Sequence, residues 1–256
     1  MLFDSHAHYD DARFNEDRDA VLTSLAAHGV GYVANIGADM QSSRAVAALA
    51  ARYDFCYAAV GVHPHDAKHF RERDCAELAA LLKQPRVTAL GEIGLDYHYD
   101  LSERDVQRRV FTRQMELARA LRVPVVIHER EALCDTLSVL RAFPEVTGVL
   151  HCFSGSVETA REVLSLGYMI AFGGVITFKN ARRSLDAARY VPDDRLLLET
   201  DCPYLAPEPC RGQRNDSKLM HHTAERLAEL RGVPFAHIAR VTTENALRFY
   251  ATTERS

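Results

Sequence analysis

The chain has 256 residues, of which 47% are apolar and 26% charged, and a formal net charge of −4. That length suits one barrel of roughly 250 residues or two smaller domains, and the acidic balance excludes a broad basic face holding long nucleic acid by counterion release alone. Six cysteines (Cys56, Cys75, Cys134, Cys152, Cys202 and Cys210) include no C-x-x-C pair, which argues against a disulfide framework or zinc knuckle and for reduced thiols in the cytoplasm.

In chain order, apolar runs alternate with amphipathic stretches. "LFDSHAHY" is followed by the helical pattern "RDAVLTSLAAHG", "GYVANIG" by "SRAVAALAARY", and "CYAAVGVHP" by "CAELAALLKQ". "VTALGEIGLD" leads into "ERDVQRRVFTRQMELARALR", whose apolar positions Val106, Val110, Met115, Leu117 and Leu121 recur at helical spacing. "VPVVIHER" and "VTGVLHCFSG" come next. "VETAREVLSLG" repeats the helical spacing at Ala160, Val163 and Leu164, and "YMIAFGGVI" and "LLLETDCPYL" complete the strand-like set. "SKLMHHTAERLAELRG" and "PFAHIARVTTENALRFY" read as closing helices. Strand–helix alternation indicates a parallel sheet, and eight repeats predict a single (β/α)8 TIM barrel over residues 1–256, with an open doubly wound sheet as the alternative. No run reaches the roughly 18 apolar residues of a membrane span, and the early acidic residues argue against a signal peptide.

The polar residues of these runs collect at one place. His6 and His8 close the first strand and, two residues apart, share a face with Asp4. His63 and His65 close the third, Glu92 the fourth, His128 the fifth, His151 the sixth and Asp201 the eighth. Carboxyl ends of barrel strands are where such enzymes build their sites. Any one of these histidines alone reads as a buried ring satisfied by a backbone carbonyl. His6, His8, Glu92, His128, His151 and Asp201, six metal-capable side chains on five strands, together read as a metal centre. Mixed imidazole and carboxylate donors suit zinc, manganese, cobalt or iron, and a wetter site accepts magnesium. His6 and His8 with Asp201 make one site, and His128 with His151 another. Two dications need a shared anion. The lysines, Lys68, Lys83, Lys179 and Lys218, all lie outside strand cores, so Glu92 is the expected bridge rather than a carbamylated lysine.

"DSHAHYD", "GVHPHDA", "GEIGLDY", "VIHERE", "HCFSGS", "ETDCPYL", "RGQRN" and "TTENALRFY" together resemble the successive signatures of the TatD family of metal-dependent hydrolases, in order over essentially the whole chain. H-x-H is shared across amidohydrolase-like barrels, whereas "GEIGLDY" with "HCFSG" and "ETDCPYL" is highly specific. The resemblance implies a TIM barrel with two divalent ions and Mg2+- or Mn2+-dependent nuclease action on DNA, with Zn2+ as a further candidate ion. It makes His6, His8, Glu92, His128, His151 and Asp201 the metal ligands. The chain departs from the pattern at Asp216-Ser217 after Asn215, where a proline is usual, and at Cys202, where alanine or serine is commoner.

Asp201 is the expected general base, ligating through one oxygen and accepting a proton from water through the other; Glu92 joins it as a catalytic candidate. His63 and His65 are expected either to contact a substrate phosphate or to cap their loop around Pro64. Arg130, Lys179 and Arg211 are the expected phosphate contacts, with Arg182, Arg183 and Arg214 nearby. Tyr97, Tyr99, Phe153, Phe178 and Tyr204 are placed to stack an unpaired base. Cys152, next to a ligand in an expected strand, faces the other way and reads as packing. The expected activity is a 3'-5' exonuclease on single-stranded or frayed DNA ends, with RNA as a secondary substrate and no obligate protein partner. The competing reading keeps the centre but cleaves an ester or amide, as in a deacylase of mischarged tRNA or a lactonase. A non-catalytic scaffold reading predicts a missing ligand, and none is missing.

Overall fold

A computed structural model describes residues 1–251; residues 252–256, the end of the span expected as one domain, lie outside the described residues. Every expected strand is present: β1 (Leu2–Ala7), β2 (Val30–Ile36), β3 (Cys56–Val60), β4 (Val87–Asp96), β5 (Val125–Arg130), β6 (Gly148–Leu150), β7 (Met169–Phe172) and β8 (Leu196–Leu198). They belong to one eight-stranded sheet in the order β1 to β8. A parallel bridge between Ala7 and Cys202 joins the end of β1 to the chain just beyond β8. Each strand is followed by a helix: α1 (Arg18–Ser24), α2 (Met40–Arg52), α3 (Glu72–Leu81), α4 (Arg104–Leu121), α5 (Leu133–Ala142), α6 (Val157–Ser165), α7 (Arg182–Tyr190) and α8 (Met220–Arg231), with α9 (Phe235–Tyr250) added at the end. This is the connectivity of a (β/α)8 barrel. The doubly wound alternative requires a reversal of strand order that is not found.

By its contacts the chain forms two compact units. The first holds Met1–Asn35, Cys152–Ser165 and the described residues from Met169 to Ala251. In it β1 pairs with β2 and β7 with β8, all parallel. Helix α9 seals it: Tyr250 stacks on Phe3 with ring centroids 5.6 Å apart and donates its hydroxyl to Ser5 O at 2.8 Å. Asn245 donates to Asp193 O and Leu196 O at 2.6 and 2.8 Å, tying the helix to the start of β8. Those two anchors explain the "TTENALRFY" pattern.

The second unit comprises Ile36–His151 with Leu166–Tyr168 and runs β3–β4–β5–β6 in parallel register. Strand β4 is buried along its whole length. Its Gly94 has φ 143°, and a Cβ there would lie 2.0 Å from the His128 carbonyl oxygen, so only glycine lets β4 and β5 approach here.

The buried stripe of α4 differs from the expected one. It runs Gln107, Val110, Phe111, Gln114, Met115 and Ala118, an i, i+3, i+4, i+7 series, while Val106, Leu117 and Leu121 are only half-buried. Two glutamines hold core-facing positions because their amides bind backbone, so an apolar count alone misplaces the face. Three strand ends also shift. Glu92 lies inside β4, which continues to Asp96, instead of closing it. His63 and His65 belong to a 3₁₀ turn, Pro64–His69, beyond β3. Asp201 follows β8 by three residues. Arg182 and Arg183, expected in a loop, open α7.

Candidate metal centre

In the first unit β1 carries His6, and His8 follows the end of that strand by one residue. Their Nε2 atoms are 3.2 Å apart. Asp201 Oδ1 stands 3.8 Å from His6 Nε2 and 3.4 Å from His8 Nε2. Asp201 has φ 57°, a left-handed conformation that aspartate tolerates better than most residues, and its N–H donates to His6 O at 2.9 Å. Thus the backbone that carries Asp201 is hydrogen-bonded to the strand that carries its partners. Below them Asp4 is fully buried and accepts from Thr200 Oγ1 and Ser217 Oγ, each at 2.6 Å, from Thr200 N at 3.0 Å and from His6 N at 3.3 Å. Burial pushes the Asp4 carboxyl up to about 7, against the pull of those hydrogen bonds. Asn215, in "RGQRN", donates to Thr200 O at 2.9 Å and Tyr204 O at 2.7 Å, holding the segment around Asp201.

In the second unit Glu92 Oε1 lies 2.8 Å from His128 Nδ1 and 2.7 Å from His151 Nε2, and those two nitrogens are 3.3 Å apart. His128 Nε2 faces Asp96 Oδ2 at 3.1 Å. A proton held on that side leaves the Nδ1 lone pair aimed at Glu92 and His151. Asp96 also takes His65 Nε2 at 2.9 Å and the His98 and Tyr99 amides at 3.0 and 2.8 Å. Burial opposes ionisation of Asp96, but the bonds from His128, the Tyr99 amide and His65 outweigh it and hold the carboxyl well below its usual range. Burial likewise opposes charge on His128, and there Asp96 and Glu92 win and raise its pKa. His63 goes the other way: burial, then the neighbouring His128, pushes it well below the imidazole range. Its Nδ1 accepts the His65 N–H at 3.1 Å, so a neutral ring presents Nε2–H to Glu92 Oε1, 3.6 Å away. His63 also caps the 3₁₀ turn, and with Glu92 and His128 it offers donor atoms within 4.8 Å of one another.

Each unit therefore gathers two imidazole nitrogens and one carboxylate oxygen. Their spacing of 2.7–3.8 Å is that of donors sharing one ion at about 2.0–2.2 Å from each. The donor sets fit a divalent metal of the zinc or manganese type. Asp96, which orients His128, and Glu199 were not singled out in the sequence. Asp96 shares the Glu92 face by the strand period, four residues on. Buried Glu199, two residues before Asp201, accepts the Cys152 N–H at 2.6 Å. Cys152 lies beyond β6 with φ 46° instead of inside a strand.

Of the expected stacking residues, Tyr99 and Tyr204 are exposed and each lies under an arginine: Arg130 is 4.7 Å from the Tyr99 ring and Arg13 is 4.1 Å from the Tyr204 ring. Arg211 covers Phe178 at 3.7 Å, and Lys179 beside it is exposed. Phe153 is instead buried edge-on to Phe172. The Tyr97 hydroxyl is engaged with Asp135 at 2.6 Å. Arg214 pairs with Asp17 at 2.6 Å and lies over Phe14, so it is a brace rather than a spare cation.

The model of the TatD related DNase family matches residues 3–251. The chain belongs to that family. TatD-family relatives match it end to end: an uncharacterized metal-dependent hydrolase of Bacillus subtilis is 41% identical over 98% of this chain and 99% of its own. A 3'-5' ssDNA/RNA exonuclease TatD of Cronobacter sakazakii is 34% identical over 97% of each chain. The crystal structure of a TatD homologue from Escherichia coli superposes with a TM-score of 0.92 at 31% identity, covering 98% of both chains. The TatD chain described here is accordingly a metal-dependent hydrolase with a TIM-barrel fold. No described helix is long and apolar enough to cross a membrane.

Proposed function

We propose that this TatD-family hydrolase is a cytoplasmic 3'-5' exonuclease that removes nucleotides from single-stranded or frayed DNA ends, and secondarily from RNA. The observation that carries the reading is the pair of His–His–carboxylate triads in a chain 34% identical to a relative named as such an exonuclease. We assign His6, His8 and Asp201 to one divalent ion and His128, His151 and Glu92 to a second, with Mg2+ or Mn2+ as the working metals and Zn2+ as a further candidate. Bound ions of this kind supply Lewis acidity and lower the pKa of water. The chain's own residues do the rest. Asp201 accepts the proton of the attacking water through its carboxylate. Asp96 fixes the His128 tautomer. Arg130, Lys179 and Arg211 pair with phosphate oxygens, while the exposed face of Tyr99 or Tyr204 stacks the terminal base, a contact indifferent to sequence.

A metal-by-substrate panel tests this. Purified protein with Mg2+, Mn2+ or Zn2+ is offered single-stranded DNA, duplex DNA, RNA and a generic carboxylic ester. Metal-dependent cleavage of single-stranded DNA ahead of the others is expected. Efficient ester cleavage with all nucleic acids left intact would replace the proposal with the deacylase reading.

A further inference from the structure

Helix α8 carries a third cluster of donors apart from the strand-end histidines. His221, His222 and Glu225 each offer one ligand atom, and these atoms lie within 4.8 Å of one another. The spacing comes from the helix: His221 and Glu225 are one turn apart, as are His222 and Glu225. His221 Nδ1 is 2.7 Å from Lys218 O and donates its proton there, which leaves the Nε2 lone pair outward. Such a carbonyl partner on the far nitrogen is the usual orienting contact of a metal-binding imidazole. His222 Nδ1 stands 3.8 Å from Glu225 Oε2, too long for a hydrogen bond and within the span of two donors on one ion. On the opposite edge, His222 Nε2 is 4.0 Å from Cys210 Sγ. The two ring centroids lie 3.9 Å apart with their planes tilted by 42°.

We propose that His221, His222 and Glu225 form a surface site for a divalent transition ion of the zinc class. The two imidazole nitrogens and one carboxylate give three protein ligands and leave the remaining positions to water, and nitrogen donors favour zinc over magnesium. The site shares no residue with the proposed hydrolytic centre, so its occupancy is expected to leave the Mg2+-supported reaction unchanged.

The test is equilibrium dialysis of the full chain against Zn2+, comparing the natural protein with His221→Ala/His222→Ala and with Glu225→Gln. The double variant should bind one Zn2+ fewer per chain at saturation. Glu225→Gln should weaken that one ion by about tenfold or more, at least the loss that follows removal of a partner outside the coordination shell. Circular dichroism verifies that α8 persists, and Mg2+-supported hydrolysis should be unchanged in both variants. Equal Zn2+ stoichiometry and affinity in all three folded proteins would overturn the proposal. An inactive natural protein that still loses one Zn2+ on mutation would refute the nuclease reading and leave this site standing.

Discussion

Asp201 and Glu92 both face histidine pairs, yet their surroundings assign them different tasks. Glu92 is buried with a single oxygen shared by His128 and His151, so its loss opens the cluster. Asp201 is half-buried and farther from its histidines, which leaves its carboxylate room for water. Asp201→Asn should therefore retain most of the bound metal while turnover falls by roughly 100-fold or more, the scale of general-base catalysis. Glu92→Ala should lose metal outright. Metal analysis beside kinetics separates the two, and near-normal turnover of Asp201→Asn would remove the base assignment. Asp4 gives a prediction about pH. Its folded carboxyl is held up to about 7 by burial, whereas the unfolded chain releases that proton near the ordinary value of about 4. The folded state thus binds the extra proton between those values, so stability is full below pH ~4 and declines as pH rises through about 7. Urea denaturation should show a larger loss from pH 5 to pH 8 in the natural protein than in Asp4→Asn; equal losses would contradict it. The six candidate ligand positions stand out in the sequence because each is a histidine or carboxylate in or just after an apolar run. Asp96 does not, because its role depends on which histidine nitrogen it faces, and that is a property of the folded strand pair.

At the level of elements, the strands declared themselves through their β-branched runs, and the exceptions arise where polar side chains replace backbone partners. Helix α4 shows why. Gln114 donates to Val62 O at 2.9 Å and accepts from Val62 N at 2.8 Å, clamping the chain just before His63. Gln107 does the same for Asp96, accepting its N–H at 2.9 Å and donating to its carbonyl at 3.1 Å. Two residues that lower the helix's apolar count thereby set the backbone beneath two residues of the site. Gln114→Leu fills the space but leaves the Val62 N–H and C=O buried and unpaired. It should cost about 1–3 kcal/mol for each orphaned group, read as a shift of the urea midpoint, with the transition slope unchanged. An unshifted midpoint would show that water takes over the clamp. Glycine at 94 belongs to the same level: "GEIGLDY" specifies how closely β4 and β5 pass, and the sequence marks the motif without showing that contact.

For the whole molecule, a net charge of −4 permits only a few phosphate contacts, and several arginines are already committed to carboxylates, as Arg214 is to Asp17. Binding of nucleic acid by charge alone would then be weak and steeply salt-dependent, so the proposed activity assigns recognition to the exposed aromatic–arginine pairs at Tyr99 and Tyr204. Fold and family could be read from motif order, whereas which aromatic rings stay exposed could not. Phe153 and Tyr97 looked equivalent to Tyr99 in sequence and differ from it only in burial and hydrogen bonding. The most direct measurement is cleavage of a 5'-end-labelled single-stranded oligonucleotide beside a covalently closed circle of the same sequence, with Mg2+ or Mn2+ and with chelator. The account predicts a metal-dependent ladder shortening from the 3' end and an intact circle; cutting of the circle at a comparable rate, or a ladder that persists in chelator, would contradict it.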